Sequence, residues 1–247
     1  MTLKLPEQIR ACLFDMDGVM TETATVHAAA WKQMFDDYLR ERAKRGGEEF
    51  KPFDAVSDYD TYVDGKPRYD GVRSFFESRG IALPQGSPSD PPDAETIDGL
   101  GNRKNELVQQ LIHDQGVKAF PGSVKLAKAV RGAGLKTAIV SSSANCKEVI
   151  EAAGIEELFD ARVDGNAVER EHLKGKPAPD TYLHAAKELG VDAAHAAVFE
   201  DALAGVESGR AGKFGYVVGV NRADQAGALR AHGADVVVDD LAELLDR

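Results

Sequence analysis

Short apolar runs recur along the chain, and between them apolar residues return every three or four positions. Ala11-Cys12-Leu13-Phe14, Lys136-Thr137-Ala138-Ile139-Val140, Ala161-Arg162-Val163, Ala196-Ala197-Val198-Phe199, Tyr216-Val217-Val218-Gly219-Val220 and Val236-Val237-Val238 are brief and mostly continuous in apolar character. A strand with one wet face alternates, so unbroken runs predict strands covered on both faces. Between them, Val124 to Arg131, Lys147 to Ala153, Thr181 to Leu189 and Leu203 to Ala211 carry a helical period. Gly132, Gly154, Gly190 and Gly212 follow these segments, where a left-handed C-cap is expected. Strand, helix, strand in repetition predicts an α/β fold: a Rossmann-like, doubly wound parallel sheet with helices on both faces.

The rhythm breaks between Ala24 and Gln115. That stretch offers helical patterns at Ala24 to Arg42, Tyr69 to Arg79 and Arg103 to Asp114, but no convincing parallel strand. Pro84-Gln85-Gly86-Ser87-Pro88-Ser89-Asp90-Pro91-Pro92 reads as a loop by composition. The expected organisation is a core of residues 1–23 and 116–247, with residues 24–115 inserted after the first strand as a helical domain. Such an insertion is expected above the C-terminal edge of the sheet, where ligands bind in folds of this kind.

Composition narrows the function classes. With 247 residues, 43% of them hydrophobic, the chain can bury a sizeable core. A formal charge of −11 disfavours a non-specific nucleic-acid binder, although a pocket can be locally positive for a phosphorylated small substrate. Cys12 and Cys146 form no CxxC pair and are expected to be buried, reduced thiols. No apolar stretch reaches membrane-spanning length and the first residues show no apolar leader core, so a cytoplasmic protein without membrane contact is expected.

Polar residues gather at the ends of the predicted strands. Asp15 and Asp17 follow the first; with a period of two their carboxylates share a side, and Gly18 permits a tight turn. Two such charges need a nearby cation. Taken alone, a pair of this spacing is more often a helix cap or a solvated turn. Ser141-Ser142-Ser143-Ala144-Asn145 ends the second strand and offers hydroxyls to a phosphate, or simply an N-cap. Lys174-Gly175-Lys176-Pro177-Ala178-Pro179-Asp180 sets Lys176 beside two stiffening prolines that follow it. Phe199-Glu200-Asp201 brings two more carboxylates, suited to a metal. Each signal alone is weak; their order, each at or soon after a strand end, is not readily fortuitous.

With these four motifs the chain resembles the haloacid dehalogenase superfamily of phosphotransferases, whose pattern is DxD, Ser/Thr, Lys and an acidic pair, with a helical cap after the first motif. Further residues resemble its β-phosphoglucomutase-like branch. The run from Asp15 to Thr23 continues to His27 and Trp31, which share a helix face; Gly65-Lys66-Pro67-Arg68 and Arg103-Lys104-Asn105 resemble two cap segments. The resemblance implies Asp15 as nucleophile, Asp17 as acid/base, and Ser141 and Lys176 on the transferring phosphoryl group. It implies Mg²⁺ held by Asp15, Asp17, Glu200 and Asp201. It implies substrate contacts from Thr23, His27, Trp31, Arg68, Lys104, Ser143 and Asn145, with Arg68, Ser143 and Asn145 at the phosphate that is not transferred.

The implied reaction interconverts β-D-glucose 1-phosphate and glucose 6-phosphate through an aspartyl-phosphate and the 1,6-bisphosphate, in a monomer that binds a small phosphorylated sugar. A Mg²⁺-dependent phosphatase of the same fold is the nearest alternative. A non-catalytic binding protein would be expected to lack an aspartate or the lysine, and a dehalogenase would have no use for Asp17 or the metal. Ala144 stands where this branch can carry lysine and Ala202 where it can carry serine. The cap is longer than a minimal one around Glu48 to Asp58 and Pro84 to Gly101.

Overall fold

A computed structural model describes residues 3–47 and 49–246. By internal contacts the chain divides into two compact units, one of Met1–Thr23 with Val117–Arg247, the other of Ala24–Gly116.

The first unit is built on β1 (Ala11–Phe14). The second unit follows, with helices α1 (Ala24–Gly46), α2 (Arg68–Ser78) and α3 (Ile97–Gln115), and a π-helical turn at Tyr59–Val63. The first unit then resumes with α4 (Pro121–Gly132), β2 (Lys136–Val140), α5 (Cys146–Ala152), β3 (Ala161–Val163), α6 (Gly165–Arg170), α7 (Asp180–Glu188), β4 (Ala196–Glu200), α8 (Leu203–Ala211), β5 (Tyr216–Val220), α9 (Ala226–His232) and β6 (Val236–Val238).

Among the described residues these strands form one six-stranded sheet in the order β3-β2-β1-β4-β5-β6, with every pairing parallel. The continuous apolar runs are the reason. Ala11, Leu13, Ala138, Val140, Val198 and Val217 are fully buried together with Tyr182, Ala185 and Val206 from the covering helices. Each large apolar side chain taken from water contributes roughly 1.5–3 kcal/mol, which a half-exposed strand could not collect. The strand order reverses between β1 and β4. There the crossovers leave the sheet in opposite directions and open a crevice beyond the strand ends. Phe14 pairs in register with Phe199. The next residues, Asp15 and Glu200, therefore emerge side by side at that crevice.

The helical unit has its own core. Phe35 lies at its centre, with ring centroids of Trp31, Phe53 and Phe75 at 5.1, 5.0 and 4.1 Å. Asp36, also buried, accepts the Phe53 amide at 2.7 Å and Lys32 Nζ at 3.0 Å, so the segment entering the π turn is tied to α1.

Two expectations need correction. Gly154 (φ 65°) and Gly190 (φ 64°) take the left-handed conformation, but Gly132 closes α4 from within and Gly134 (φ 81°) makes the turn; Gly212 has φ −75°, and Lys213 (φ 57°) turns instead. The last helix of the second unit starts at Ile97, six residues before the predicted Arg103. Gly99 and Gly101 weaken its helical signal, while Thr96 caps it by accepting the Gly99 amide at 2.9 Å.

Candidate active site

Beyond β1 the chain makes a tight loop. Met16 points into the core and its carbonyl accepts the amides of Met20 and Thr21, both at 2.9 Å. The Gly18 amide closes the loop onto the Thr21 carbonyl at 2.9 Å. Asp15 and Asp17 therefore leave on the side opposite Met16, as the period of two requires. The Thr23 hydroxyl donates to Asp17 Oδ1 and pairs with the Thr21 hydroxyl at 2.7 Å, so Asp17 is held by a short relay of hydroxyls. Gly18 has φ 81°, and a Cβ there would overlap the Asp201 carboxylate. Glycine is required for the turn and for that close approach.

Four side chains from three separate stretches of the chain, Asp15, Lys176 with Tyr182, and Glu200, meet beside this loop. Lys176 Nζ donates to Asp15 Oδ1 and lies 2.5 Å from Glu200 Oε1, all three side chains being buried. Tyr182 from α7 donates its hydroxyl to the same Glu200 oxygen at 2.7 Å, and its ring centroid is 5.1 Å from Lys176 Nζ. The other Glu200 oxygen accepts the Ala202 amide at 3.3 Å. Gly205 lets α8 come against this carboxylate, which a Cβ would overlap. The cation that paired aspartates call for is thus supplied in part by the chain itself.

The electrostatics follow from this packing. Burial raises the Asp15 carboxyl above its ordinary value; Lys176 opposes that shift, and Glu200 and Asp17 add to it. Burial works against charge on Lys176, but the carboxylates of Asp15 and Glu200 outweigh it and hold the ammonium above its ordinary pKa. Carboxylate oxygens of Asp15, Glu200 and Asp201 lie within 4.8 Å of one another. Oxygen donors alone, packed this closely, fit a hard divalent cation and not a thiophilic one.

The serine-rich turn after β2 also faces the sheet edge. Ser141 is buried, and its Oγ accepts the Ser143 amide at 3.0 Å; Ser143 Oγ in turn accepts the Asn145 amide at 3.2 Å. A hydroxyl that accepts one amide still has its proton to donate.

In the second unit, His27 and Lys104 meet across α1 and α3, with Nδ1 and Nζ 2.9 Å apart and both side chains buried. Lys104 Nζ lies 4.8 Å from the Trp31 ring centroid, so the helix-face spacing of His27 and Trp31 places both on one lysine. Arg68 stands at the start of α2, half-buried, with its guanidinium 4.7 Å from the Tyr69 ring centroid.

Three supporting residues carried no motif. Tyr182 reads as a core aromatic of α7. Arg222 donates from Nε to the Gly18 carbonyl at 2.7 Å and from Nη1 to the Asp239 carbonyl at 3.0 Å, its guanidinium 3.7 Å above Phe120. Gln225 Nε2 donates to the Asp201 carbonyl at 3.0 Å. Their partners are backbone carbonyls or a distant carboxylate, which leave no spacing to read in a sequence. The only available signal was their position just after β5 or on the helix before β4.

The family model of haloacid dehalogenase-like hydrolases matches residues 9–213, and the chain belongs to that family. It is 59% identical over 246 residues to a β-phosphoglucomutase of Mycobacterium tuberculosis, covering 98% of this chain and 94% of that protein. A β-phosphoglucomutase of Bacillus subtilis is 31% identical over 96% of this chain and 92% of its own length. The crystal structure of a β-phosphoglucomutase from Clostridium difficile has the same fold, with a TM-score of 0.73 and 24% identity over 96% of this chain and 93% of that one. No helix among the described residues is long and apolar enough to cross a membrane.

Proposed function

We propose that this chain is a β-phosphoglucomutase, interconverting β-D-glucose 1-phosphate and glucose 6-phosphate by way of an aspartyl-phosphate and the 1,6-bisphosphate. Identity of 59% with the mycobacterial β-phosphoglucomutase, over 98% of this chain and 94% of that protein, carries this assignment. The Asp15–Lys176–Glu200 cluster and the Asp17–Thr23 contact support it from the chemical side.

Asp15 attacks phosphorus in line. Its oxygen–phosphorus bond forms as the bond from phosphorus to the sugar oxygen breaks. Asp17, oriented by Thr23, gives its proton to the departing sugar oxygen and later takes one from the incoming hydroxyl. A loose transition state leaves little covalent work for the protein, so positioning and charge neutralisation dominate. Lys176 and Ser141 contact the transferring phosphoryl oxygens. Asp15, the Asp17 carbonyl and Asp201, with Glu200 close by, would hold Mg²⁺, which supplies further neutralisation of the same oxygens. The family resemblance assigns Ser143 and Asn145 of the first unit, and Arg68, His27, Trp31 and Lys104 of the second, to substrate binding, with Arg68, Ser143 and Asn145 for the phosphate that is not transferred.

The test is a coupled assay for glucose 6-phosphate from β-glucose 1-phosphate, with the 1,6-bisphosphate as primer. Primer-dependent glucose 6-phosphate is the expected product, abolished in Asp15→Asn. Release of inorganic phosphate without primer dependence would instead identify a phosphatase of the same family.

A further inference from the structure

The helical unit carries a long loop, residues 84–96, to which the motifs assign no role. It is bonded to itself and to the start of α3. Asp90 and Ala94 amides donate to the carbonyls of Ser87 and Pro91 at 2.8 and 2.9 Å, and the Ile97 and Asp98 amides to those of Pro84 and Gln85 at 3.0 and 3.1 Å. The Thr96 hydroxyl donates to the Asp90 carboxylate at 2.7 Å while accepting the Gly99 amide.

One side chain of α3 reaches out of this frame. Asn102 Nδ2 donates to two loop carbonyls, Pro88 at 3.1 Å and Asp90 at 2.9 Å. Those bonds fix which way the amide faces, and its Oδ1 accepts the Tyr69 hydroxyl at 3.0 Å. The Tyr69 oxygen in turn accepts Arg68 Nη2 at 3.0 Å, with the guanidinium over the same ring. Gly101 makes the approach possible, because a Cβ there would lie 2.6 Å from the Tyr69 ring and 3.2 Å from Arg68 Cγ. The nearby Lys66 is committed elsewhere, donating to the Thr61 carbonyl at 3.2 Å and the Ser74 hydroxyl at 3.1 Å.

An arginine on a flexible stem must be ordered before it can grip an anion bidentately. Ordering it in advance removes that cost from binding. The bond to Tyr69 engages one of the five guanidinium N–H donors and leaves a fork for phosphate oxygens. We infer that loop 84–96 is a specificity element. Through Asn102 and Tyr69 it pre-sets Arg68 to receive the second phosphate of a bisphosphorylated sugar. Tyr69 and Asn102 are positioning residues, and this role rests on the assignment of Arg68 made above.

The test compares kcat/KM for glucose 1,6-bisphosphate as primer with kcat/KM for p-nitrophenyl phosphate, which has no second phosphate. It uses the full chain and its Arg68→Ala, Tyr69→Phe and Asn102→Ala variants. The ratio is expected to fall about 10-fold in Tyr69→Phe and Asn102→Ala through KM for the bisphosphate, with kcat held, and further in Arg68→Ala. A general loss of structure would lower both rates and leave the ratio alone. If Asn102→Ala fails to fold, Tyr69→Phe, which deletes a single oxygen, decides the matter. A ratio that collapses in Arg68→Ala but stays within two-fold of wild type in the other two overturns the positioning role and spares Arg68. A ratio unchanged in Arg68→Ala removes the assignment of Arg68 and the inference with it.

Discussion

Gly18, Tyr182 and Asp160 show how single residues act through their neighbours. At Gly18 the left-handed backbone and the Asp201 carboxylate both exclude a Cβ. Gly18→Ala should displace Asp201, and a shift on the order of 1 Å at a reacting centre can cost about 100-fold in turnover, read in the coupled assay. Tyr182→Phe removes the phenol that donates to Glu200. A buried carboxylate deprived of one donor should cost roughly 1–3 kcal/mol in urea unfolding, with slower turnover as Glu200 loosens against Lys176. Asp160 gives a pH signature away from the site. Partial burial raises its carboxyl, but the Thr137 amide and hydroxyl and Arg131 outweigh burial and leave it below the ordinary value of 3.8. A lowered folded-state pKa contributes stability that is present above the unfolded value and lost as pH falls through the folded one. Asp160→Asn should therefore flatten the fall in thermal stability below about pH 4.

At the scale of elements, strands were more legible than helix ends. All six predicted runs are strands; in the central β1 and β4 burial on both faces writes itself as an unbroken apolar string, whereas the edge strand β3 carries the exposed Arg162. Helix limits depend on caps and local turns. Pro121 starts α4 three residues before the predicted Val124; the six-residue α6 has too few turns to show a period, and α9 holds a single large apolar residue, Leu229. In the second unit the aromatic packing around Phe35 joins α1 and α2 to the segment carrying Phe53. Phe35→Ala should cost about 3–5 kcal/mol in denaturant unfolding, because a ring enclosed by rigid neighbours leaves a cavity that cannot collapse fully.

For the whole molecule, the carboxylate cluster makes a prediction independent of turnover. If Asp15, Asp201 and Glu200 hold a divalent cation, Mg²⁺ bound only by the folded chain should raise the melting temperature in proportion to the logarithm of its concentration. Asp201→Asn should abolish most of that rise. An equal rise in Asp201→Asn would remove Asp201 from the metal site.

The sequence by itself determined the α/β class, the six strands, the helical insertion and the set of polar residues at strand ends. Those properties are written locally, in periodicity and in side-chain type. The strand order, the switch point between β1 and β4, and the convergence of Asp15, Lys176, Glu200 and Tyr182 were decided only by tertiary structure. So were the hold of Arg222 on Gly18 and the chain of bonds from Asn102 through Tyr69 to Arg68. Such contacts join residues through backbone carbonyls and single side-chain atoms, often across long separations in sequence. No spacing along the chain records which of many possible partners lies within about 3 Å.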